Sequence, residues 1–412
     1  MGRAEQNVYV AYIGTTKVAF LKADVKPQGR FEVSALSARL AYGFERGIVK
    51  DLAQASRTLV EAVHDVTGGE RRSVLPCRLV ISNAYFKNYT FQSSVYFQSN
   101  PHAITLKDVR QVVAQTRSVA TIPLQEVIVQ TVPQEFLVND LMGVQNPLGL
   151  EASRLGVTLR LLALDFLVHS NVLKVFERCD LEVTEIIPSV LSAAHNVLNA
   201  QEKHAGVILA MIGGQAIHFA CYKNSVLVET RSIPIGADCI TEAIAKNLNI
   251  DHLNAQRLKE TFGSASPKFE FQDELIPVPD TNGHKKYPIK RSEFETQMNS
   301  GLNIFFMEIC REIKTLQERY SPITRVVFTG GGSRLEGFLD VVKESVSPTA
   351  RIGVVQGISG PEALMNDPAY SGVLGGLSFT SKLSEDRFAY GDHPSWMSRT
   401  IARARSWIFE YL

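Results

Sequence analysis

The sequence predicts an α/β fold of two duplicated lobes around a cleft, with a small α+β unit inserted into the first lobe. Two similar strand–turn–strand segments carry this prediction: Val8 to Ala23 turns at Gly14, and Val207 to Tyr222 turns at Gly213-Gly214. A third glycine turn, Gly330 to Gly332, follows a short apolar strand. A repeated core with a glycine turn in each half is typical of two lobes that enclose a ligand cleft.

Composition agrees with a soluble multidomain protein and excludes several function classes. A chain of 412 residues is long for one hydrophobic core, so two or more domains are expected. The net charge of +1 gives no reason to expect a nucleic-acid partner. The five cysteines lie far apart without a CxxC motif, and the nine histidines show no metal-ligand spacing. We therefore expect reduced thiols and no bound metal.

Hydrophobic periodicity places the elements of the first lobe. Strands are predicted at 8–13, 18–23, 78–82 and 181–187, and helices at 52–66, 168–179 and 189–198. Between them, from about 84 to 165, the pattern changes to an insert. It begins with a strand of alternating residues at 89–97, and Thr105 then caps a helix. Two strands near 127–132 and 154–164 complete a β-α-β-β order.

The second lobe repeats the strand–turn–strand start and then adds helices. We predict strands at 207–212, 217–222 and 326–329, and helices at 238–248, around Gln256 to Lys259, at 292–320 and at 371–379. The last helix consists of small residues suited to close packing. Asn282-Gly283 marks a hairpin within the polar stretch 269–289.

The glycine turns are the candidate ligand-binding elements. Gly14-Thr15-Thr16-Lys17 offers N–H, hydroxyl and ammonium donors of the kind that bind phosphate. Gly330 to Gly332 allow a ligand to approach the backbone closely, and the predicted helix after them supplies free N–H groups. Plain turns without a ligand fit the same residues.

The C-terminal segment reads as an amphipathic helix behind a polar linker. The linker covers 381–394 and the helix covers 395–412, which contains both tryptophans of the chain. Tryptophan and arginine beside an apolar stripe are typical of a helix lying in the membrane interface, where three arginines add about 3 kcal/mol on an anionic leaflet. Docking on the protein's own core is the alternative. The predicted membrane-binding residues are Trp396, Met397, Arg399, Ile401, Arg403, Arg405, Trp407, Ile408 and Leu412.

Taken together, these motifs resemble the FtsA family, the actin-like bacterial division proteins that tether FtsZ to the membrane. The resemblance runs nearly end to end and includes the terminal helix. It rests on IGTTKV at 13–18, VPQEF at 132–136, NPLGLEASRL at 146–155, ERCDLEV at 177–183 and TGGGSRLEG at 329–337.

The resemblance implies an actin-like, ribonuclease-H-type duplicated fold with ATP and Mg²⁺ in a nucleotide cleft. It divides the chain into subdomain 1A (1–83, 166–200 and 351–380), the FtsA-type insert 1C (84–165), subdomain 2A (201–230 and 300–350) and subdomain 2B (231–299). The residues it implies for nucleotide binding are Gly14, Thr15, Thr16, Lys17, Gly213, Gly214, Gly236, Lys259, Gly330, Gly331, Gly332 and Ser333.

The same resemblance implies the partners. They are the FtsZ C-terminal peptide, further copies of the chain in a protofilament, an anionic membrane surface and other division proteins. The expected location is the cytoplasmic face of the bacterial membrane at the division site. Lys290 and Arg291 are the best matches to the FtsZ-peptide surface.

Departures from the family pattern concern the phosphate turns. Tyr12 stands where the pattern has an acid, and the second turn reads Met211 to Ala216, followed by His218, in place of DxGGGT and an acid. Gln256 replaces a glutamate near the nucleoside. Those acids hold Mg²⁺ and its waters. We therefore expect no catalytic residues, weak or absent ATP hydrolysis, and nucleotide binding that is weakened or lost.

Two other functions fit the same fold. A PilM-like scaffold of a membrane machine shares the core and the insert, but that family does not normally need the terminal Trp/Arg helix. An actin-fold ATPase or kinase needs acids where this chain has Tyr12, Met211 and His218.

Overall fold

The computed structural model describes residues 7–69, 73–97, 101–266, 274–279 and 286–379. These residues form two compact units. The larger comprises the chain up to Asn88, Pro123–Gln130 and Leu162–Phe379, and the smaller comprises Tyr89–Ile122 and Thr131–Leu161. The predicted linker and all the predicted membrane-binding residues from Trp396 to Leu412 lie outside the described residues.

The first sheet of the larger unit is built around the N-terminal hairpin. Its strand order is β13-β6-β1-β2-β3-β21. Strand β1 pairs antiparallel with β2 and parallel with β6, and β13 continues the parallel side. The strands are β1 (Asn7–Ile13), β2 (Lys17–Lys26), β3 (Arg30–Leu40), β6 (Leu75–Ile81), β13 (Leu181–Pro188) and β21 (Ile358–Ser359). A two-stranded ribbon of β4 (Phe44–Glu45) and β5 (Ile48–Val49) follows β3.

Helices cover this sheet because most of them bury an apolar face on it. The short helix at 200–205 is the exception, since its buried residue is Glu202 and it contacts the second sheet. The first helix is held at both ends: Asp51 accepts hydrogen bonds from the first-turn N–H groups of Ala53 and Gln54, and Gly68 ends the helix at φ +67°. The helices are α1 (Leu52–Thr67), α3 (Phe166–Glu177), α4 (Ser189–Val197), α5 (Ala200–Ala205) and α11 (Ser371–Ser378).

The second sheet repeats the plan of the first, as the sequence predicts. Its order is β16-β15-β14-β19-β20. Strand β14 pairs antiparallel with β15 and parallel with β19, as β1 does with β2 and β6. The strands are β14 (Val207–Ile212), β15 (Ile217–Lys223), β16 (Val226–Ile233), β19 (Arg325–Thr329) and β20 (Arg351–Ile352). The duplicated α/β architecture is therefore confirmed.

Most of the remaining elements of the larger unit pack on the second sheet and share one apolar core with it. They are α6 (Asp238–Leu248), α7 (His252–Phe262), β17 (Leu275–Pro279), β18 (Lys286–Lys290), α8 (Arg291–Arg319) and α9 (Phe338–Ser345). Helix α10 (Glu362–Met365) has no buried residue and lies outside this core. Strands β17 and β18 form the predicted hairpin, and its Asn282-Gly283 turn lies outside the described residues.

The smaller unit carries a four-stranded sheet of order β10-β9-β12-β7 and one helix. Thr105 forms a capping box with Asp108, as expected for a helix start at this threonine. Its elements are β7 (Lys87–Tyr96), β8 (His102–Ala103), α2 (Leu106–Val119), β9 (Glu126–Val138), β10 (Leu141–Val144), β11 (Glu151–Ala152) and β12 (Arg154–Asp165).

The fold differs from the sequence expectations in two respects. Strands β3 and β16 are not predicted from the sequence, because their inward and outward positions carry mixed polar and apolar residues. The third glycine turn does not lead directly into an α-helix. Gly331–Arg334 form a 3-10 turn, and α9 begins only at Phe338. No helix among the described residues is both long and apolar enough to cross a membrane.

Helix α11 packs closely against α4, as its small residues predict. A Cβ added at Gly375 would lie 2.0 Å from the carbonyl oxygen of Ser192 in α4. We expect Gly375→Ala to lower the free energy of unfolding by about 1–3 kcal/mol, because two backbones would have to separate. Urea denaturation measures the loss. The matched control is Gly331→Ala, where the nearest atom lies at 3.8 Å, and equal losses in both variants would contradict this packing.

Candidate cleft with a degenerate phosphate site

The glycine turns of the larger unit meet at one cavity of about 350 Å³. The β1–β2 turn, the β14–β15 turn and the Gly330–Gly332 turn all contribute to its wall, although they lie far apart in the sequence. Most of the residues predicted to bind nucleotide line it. They are Gly14, Thr15, Thr16, Lys17, Gly213, Gly214, Lys259, Gly330, Gly331 and Gly332.

Two predicted residues support the wall from behind. A Cβ on Gly236 would lie 2.3 Å from the carbonyl oxygen of Gly214, so glycine is needed there for close backbone approach. Ser333 is 5% exposed, and its hydroxyl donates to the carbonyl of Gly330 at 2.8 Å. Neither residue lines the cavity.

Several charged residues of the wall are absent from the sequence-based list. Asp238, Glu260, Arg334 and Glu336 all line the cavity. Arg334 and Glu336 belong to the TGGGSRLEG motif, of which the sequence analysis used only the glycines and Ser333, whereas only the fold brings Asp238 and Glu260 beside the glycine turns. Asp238 opens α6 close to Gly214, and burial raises the pKa of its carboxyl although nearby Lys259 opposes that shift.

Lys17 is held by the protein itself. Its ammonium donates to the carbonyl of Ala369 at 2.6 Å and lies 4.0 Å from the ring centre of Tyr370. Burial lowers the pKa of Lys17 to about 8, and Asp367 offsets part of that shift. A phosphate would have to compete with these contacts for the ammonium group.

Lys259 is similarly engaged. Its ammonium donates to the hydroxyl of Thr241 at 2.7 Å and to the carbonyl of Ala237 at 3.1 Å. Burial lowers the pKa of Lys259, and Asp238 partly opposes this effect. Lys259 thus ties α7 to the start of α6.

A buried chain of neutral side chains occupies the positions where the family pattern has acids. The Tyr12 side chain is hydrogen-bonded to Ser82, whose hydroxyl lies 2.7 Å from Nε2 of His218. Nδ1 of His218 lies 2.8 Å from the hydroxyl of Ser232. Burial raises the pKa of Tyr12 to about 12 and lowers that of His218 to about 4. Both side chains are therefore neutral at pH 7.

This series of hydrogen-bonded side chains links the two sheets, because Ser82 follows β6 whereas His218 and Ser232 belong to β15 and β16. Gln215 adds a second link. Its backbone N–H donates to the Thr15 hydroxyl at 3.2 Å, and its side-chain oxygen accepts from the N–H of Arg46 at 3.1 Å. The turns of the two halves are thereby joined by protein groups alone.

The donor set does not fit Mg²⁺ with a triphosphate. Three cationic and three acidic side chains line the cavity: Lys17, Lys259 and Arg334, and Asp238, Glu260 and Glu336. Such a balance attracts a tetra-anion only weakly. The described residues contain no cluster of three or more His, Cys, Asp or Glu that could hold a metal. At the positions where the family pattern has acids, the phenol of Tyr12 and the thioether of Met211 line the cavity in place of hard oxygen ligands, and His218 does not line it.

The two residues predicted to meet the FtsZ peptide lie at the junction of β18 and α8, in different environments. Lys290 is exposed. The Arg291 side chain is only 8% exposed and is bound to the Glu274 carboxylate, at 2.6 Å from Nη2 and 2.7 Å from Nε. It also donates to the carbonyl of Phe262 at 2.9 Å. Arg291 therefore joins β17, α7 and α8 rather than facing solvent.

Comparison with known families explains both units. The model of the cell division protein FtsA matches residues 209–375, and the model of the SHS2 domain inserted in FtsA matches residues 85–163. This chain belongs to the FtsA family. It is 25% identical to the FtsA of Pseudomonas aeruginosa over 379 residues, which cover 91% of this chain and 89% of that protein. It is 26% identical to the FtsA of Escherichia coli, with 89% of this chain and 88% of that protein covered.

Solved structures show the actin-like fold of this FtsA family member. A PilM–PilN type IV pilus biogenesis complex matches with a TM-score of 0.64 at 16% identity, covering 91% of this chain and 98% of that chain. MreB5 of Spiroplasma citri, bound to AMPPNP, matches with a TM-score of 0.52 at 14% identity, covering 90% of this chain and 95% of that chain. At these identities the likeness concerns the fold alone.

The buried His218 predicts a pH dependence of stability. Its pKa falls from 6.5 in the unfolded chain to about 4 in the folded one, so only the unfolded chain takes up this proton between those values. Stability is therefore lost as the pH falls from 6.5 to 4, by about 3 kcal/mol. Urea denaturation of the chain and of His218→Gln at several pH values checks this, since glutamine does not titrate. The excess stability of the unsubstituted chain should shrink towards pH 4, and parallel curves would contradict the assignment.

Proposed function

We propose that this FtsA family member is a cell-division adaptor. In this proposal it polymerises into actin-like protofilaments on the cytoplasmic face of the membrane, at the division site, and tethers FtsZ filaments there. The observation that carries the proposal is the match of both the core and the insert to FtsA models. FtsA proteins combine an actin-like core with this insert, and the adaptor role is inferred from that combination.

Membrane attachment is assigned to the C-terminal helix at 395–412. Its Trp396, Trp407, Ile401 and Ile408 supply apolar contacts, and its arginines supply attraction to anionic lipid. One such helix binds reversibly, so a protofilament that presents many copies would bind much more firmly. Polymerisation and attachment thus reinforce each other in this proposal.

The FtsZ C-terminal peptide is assigned to the surface around the end of β18. Lys290 is exposed and basic there, and Leu275, its partner across the hairpin, is 60% exposed. Arg291 acts in this proposal as a support, because its pairing with Glu274 fixes the strand that presents Lys290.

We further propose that the cleft binds ATP weakly or not at all and does not hydrolyse it. Lys17 is already bound to Ala369, the wall charges cancel, and neutral Tyr12 and His218 replace acids. The direct links between the sheets, through Ser82–His218 and Gln215–Thr15, provide the closure that a nucleotide would otherwise mediate. The fold of the adaptor is then independent of ATP.

A PilM-like scaffold is the competing proposal, since a PilM–PilN complex shares the fold. The family models favour the division role, and the terminal helix is unnecessary for a scaffold docked on another membrane protein. The adaptor role requires residues 395–412 for membrane binding, whereas the scaffold role does not.

Vesicle pelleting tests the adaptor role. We expect the full chain to bring a fluorescent FtsZ C-terminal peptide down with anionic vesicles, because one molecule binds both. Deletion of 395–412 should abolish pelleting, and Lys290→Glu should reduce the peptide but not the protein in the pellet. Arg257→Glu makes the same change of charge at an exposed arginine of the same subdomain and serves as the control. Vesicle binding that survives the deletion would contradict the assignment of the anchor.

Calorimetry tests the cleft separately. We expect no saturable binding of ATP with Mg²⁺ at micromolar concentrations to a preparation that still binds the FtsZ peptide, since the wall has no net positive charge and Tyr12 and Met211 stand where the family pattern has acids. Micromolar binding would refute the proposed loss and leave the adaptor role standing.

A further inference from the structure

A second cavity, of about 260 Å³, lies in the larger unit and shares no lining residue with the cleft. Its wall includes the start of α4 and Thr230, Arg231 and Ser232 of β16. Polar and apolar residues both line it, and His218 is among them, but neither the family resemblance nor the glycine motifs assign the cavity a ligand.

The first turn of α4 lies at this cavity, because Ser189 and Val190 line it. The helix runs for nine residues from Ser189, and Pro188 at its N-cap position supplies no side-chain hydrogen bond. The N–H groups of a first turn have no partner within the helix, and the helix dipole makes that end attractive to anions.

The Ser189 hydroxyl is an independent sign of a ligand. Ser189 is only 2% exposed and lines the cavity, yet the described residues give its hydroxyl no hydrogen-bond partner. Because this hydroxyl is not one of the fully buried side-chain atoms that lack a partner, it opens onto the cavity, where a bound acceptor would receive its hydrogen bond.

Arg231 supplies a cation at the wall of the same cavity. Its Nε lies 2.7 Å from the Glu312 carboxylate, and the side chain is 36% exposed. Among the described residues its terminal nitrogens have no recorded partner, so they are available to a ligand. The one acid of the wall, Glu229, is already engaged by Arg319 at 3.0 Å and by the hydroxyl of Tyr320.

We propose that this cavity binds a small tetrahedral oxyanion of the phosphate class, between the first turn of α4 and the guanidinium of Arg231. The Ser189 hydroxyl and the first-turn N–H groups donate to one side of the anion, and Arg231 donates to the other. Because α4 follows β13 of the first sheet and Arg231 lies on β16 of the second, the anion bridges the two sheets. The inference stands apart from the adaptor role, which requires no ligand here.

Isothermal titration of the full chain with inorganic phosphate tests the site, with chloride at matched ionic strength as the blank. We expect saturable binding at millimolar phosphate, since formal charges around the cavity largely cancel. Ser189→Ala should weaken it about tenfold to a hundredfold, as the loss of one hydrogen bond to a charged group predicts. This variant keeps the helix and the ion pairs, so a folding defect does not confuse the result.

Arg231→Gln combined with Glu312→Gln should weaken phosphate binding at least tenfold without leaving the buried Glu312 unpaired. Arg257→Gln, at an exposed arginine of α7, is the matched control and should leave the affinity unchanged. Lys17→Ala removes a cation of the cleft, and it should leave the phosphate affinity unchanged if the anion binds in the second cavity.

Non-saturable binding would overturn the proposal, as would equal affinities in the Ser189, Arg231/Glu312 and Arg257 variants. A loss of binding in Lys17→Ala alone would place the phosphate in the cleft and would equally overturn it. None of these outcomes affects vesicle pelleting, so the test is separate from that of the adaptor role.

Discussion

The direct joining of two β-sheets through neutral buried side chains is the constraint on which the cleft depends. Ser82 lies on the first sheet's side and His218 on the second sheet, and their hydrogen bond of 2.7 Å is completed by Ser232 at 2.8 Å. A neutral imidazole can accept at one nitrogen and donate at the other, so both serines are satisfied without any charge. The low interior dielectric strengthens such a chain and makes each missing partner costly.

This arrangement changes what the cleft can do. In an actin-like cleft with acids at these positions, a metal and a polyanion would connect the lobes and balance their charge. Here the protein completes its own connections, with Lys17 on a backbone carbonyl and Gln215 across the two turns. The shape of the cleft is retained because it depends on glycine backbones, such as Gly236 against Gly214, which no ligand has to support.

Much of the fold could be predicted from the sequence because its signals are local. Apolar spacing defines α1 and α8, Thr105 starts α2 with a capping box, and the two glycine turns reveal the duplication. The FtsA resemblance added the order of the subdomains. Strands such as β3 escaped notice because their residues are mixed in polarity and are defined by their neighbours in the sheet.

The sequence by itself determined the residues at the glycine turns and the neutral Tyr12 and His218 at positions where the family pattern has acids. Only the tertiary structure decided what those residues touch. It buried Arg291 against Glu274, bound Lys17 to Ala369, and brought Asp238 and Glu336 into the same wall. The reason is that charge balance and hydrogen-bond partners depend on groups distant in the sequence, which no local pattern records.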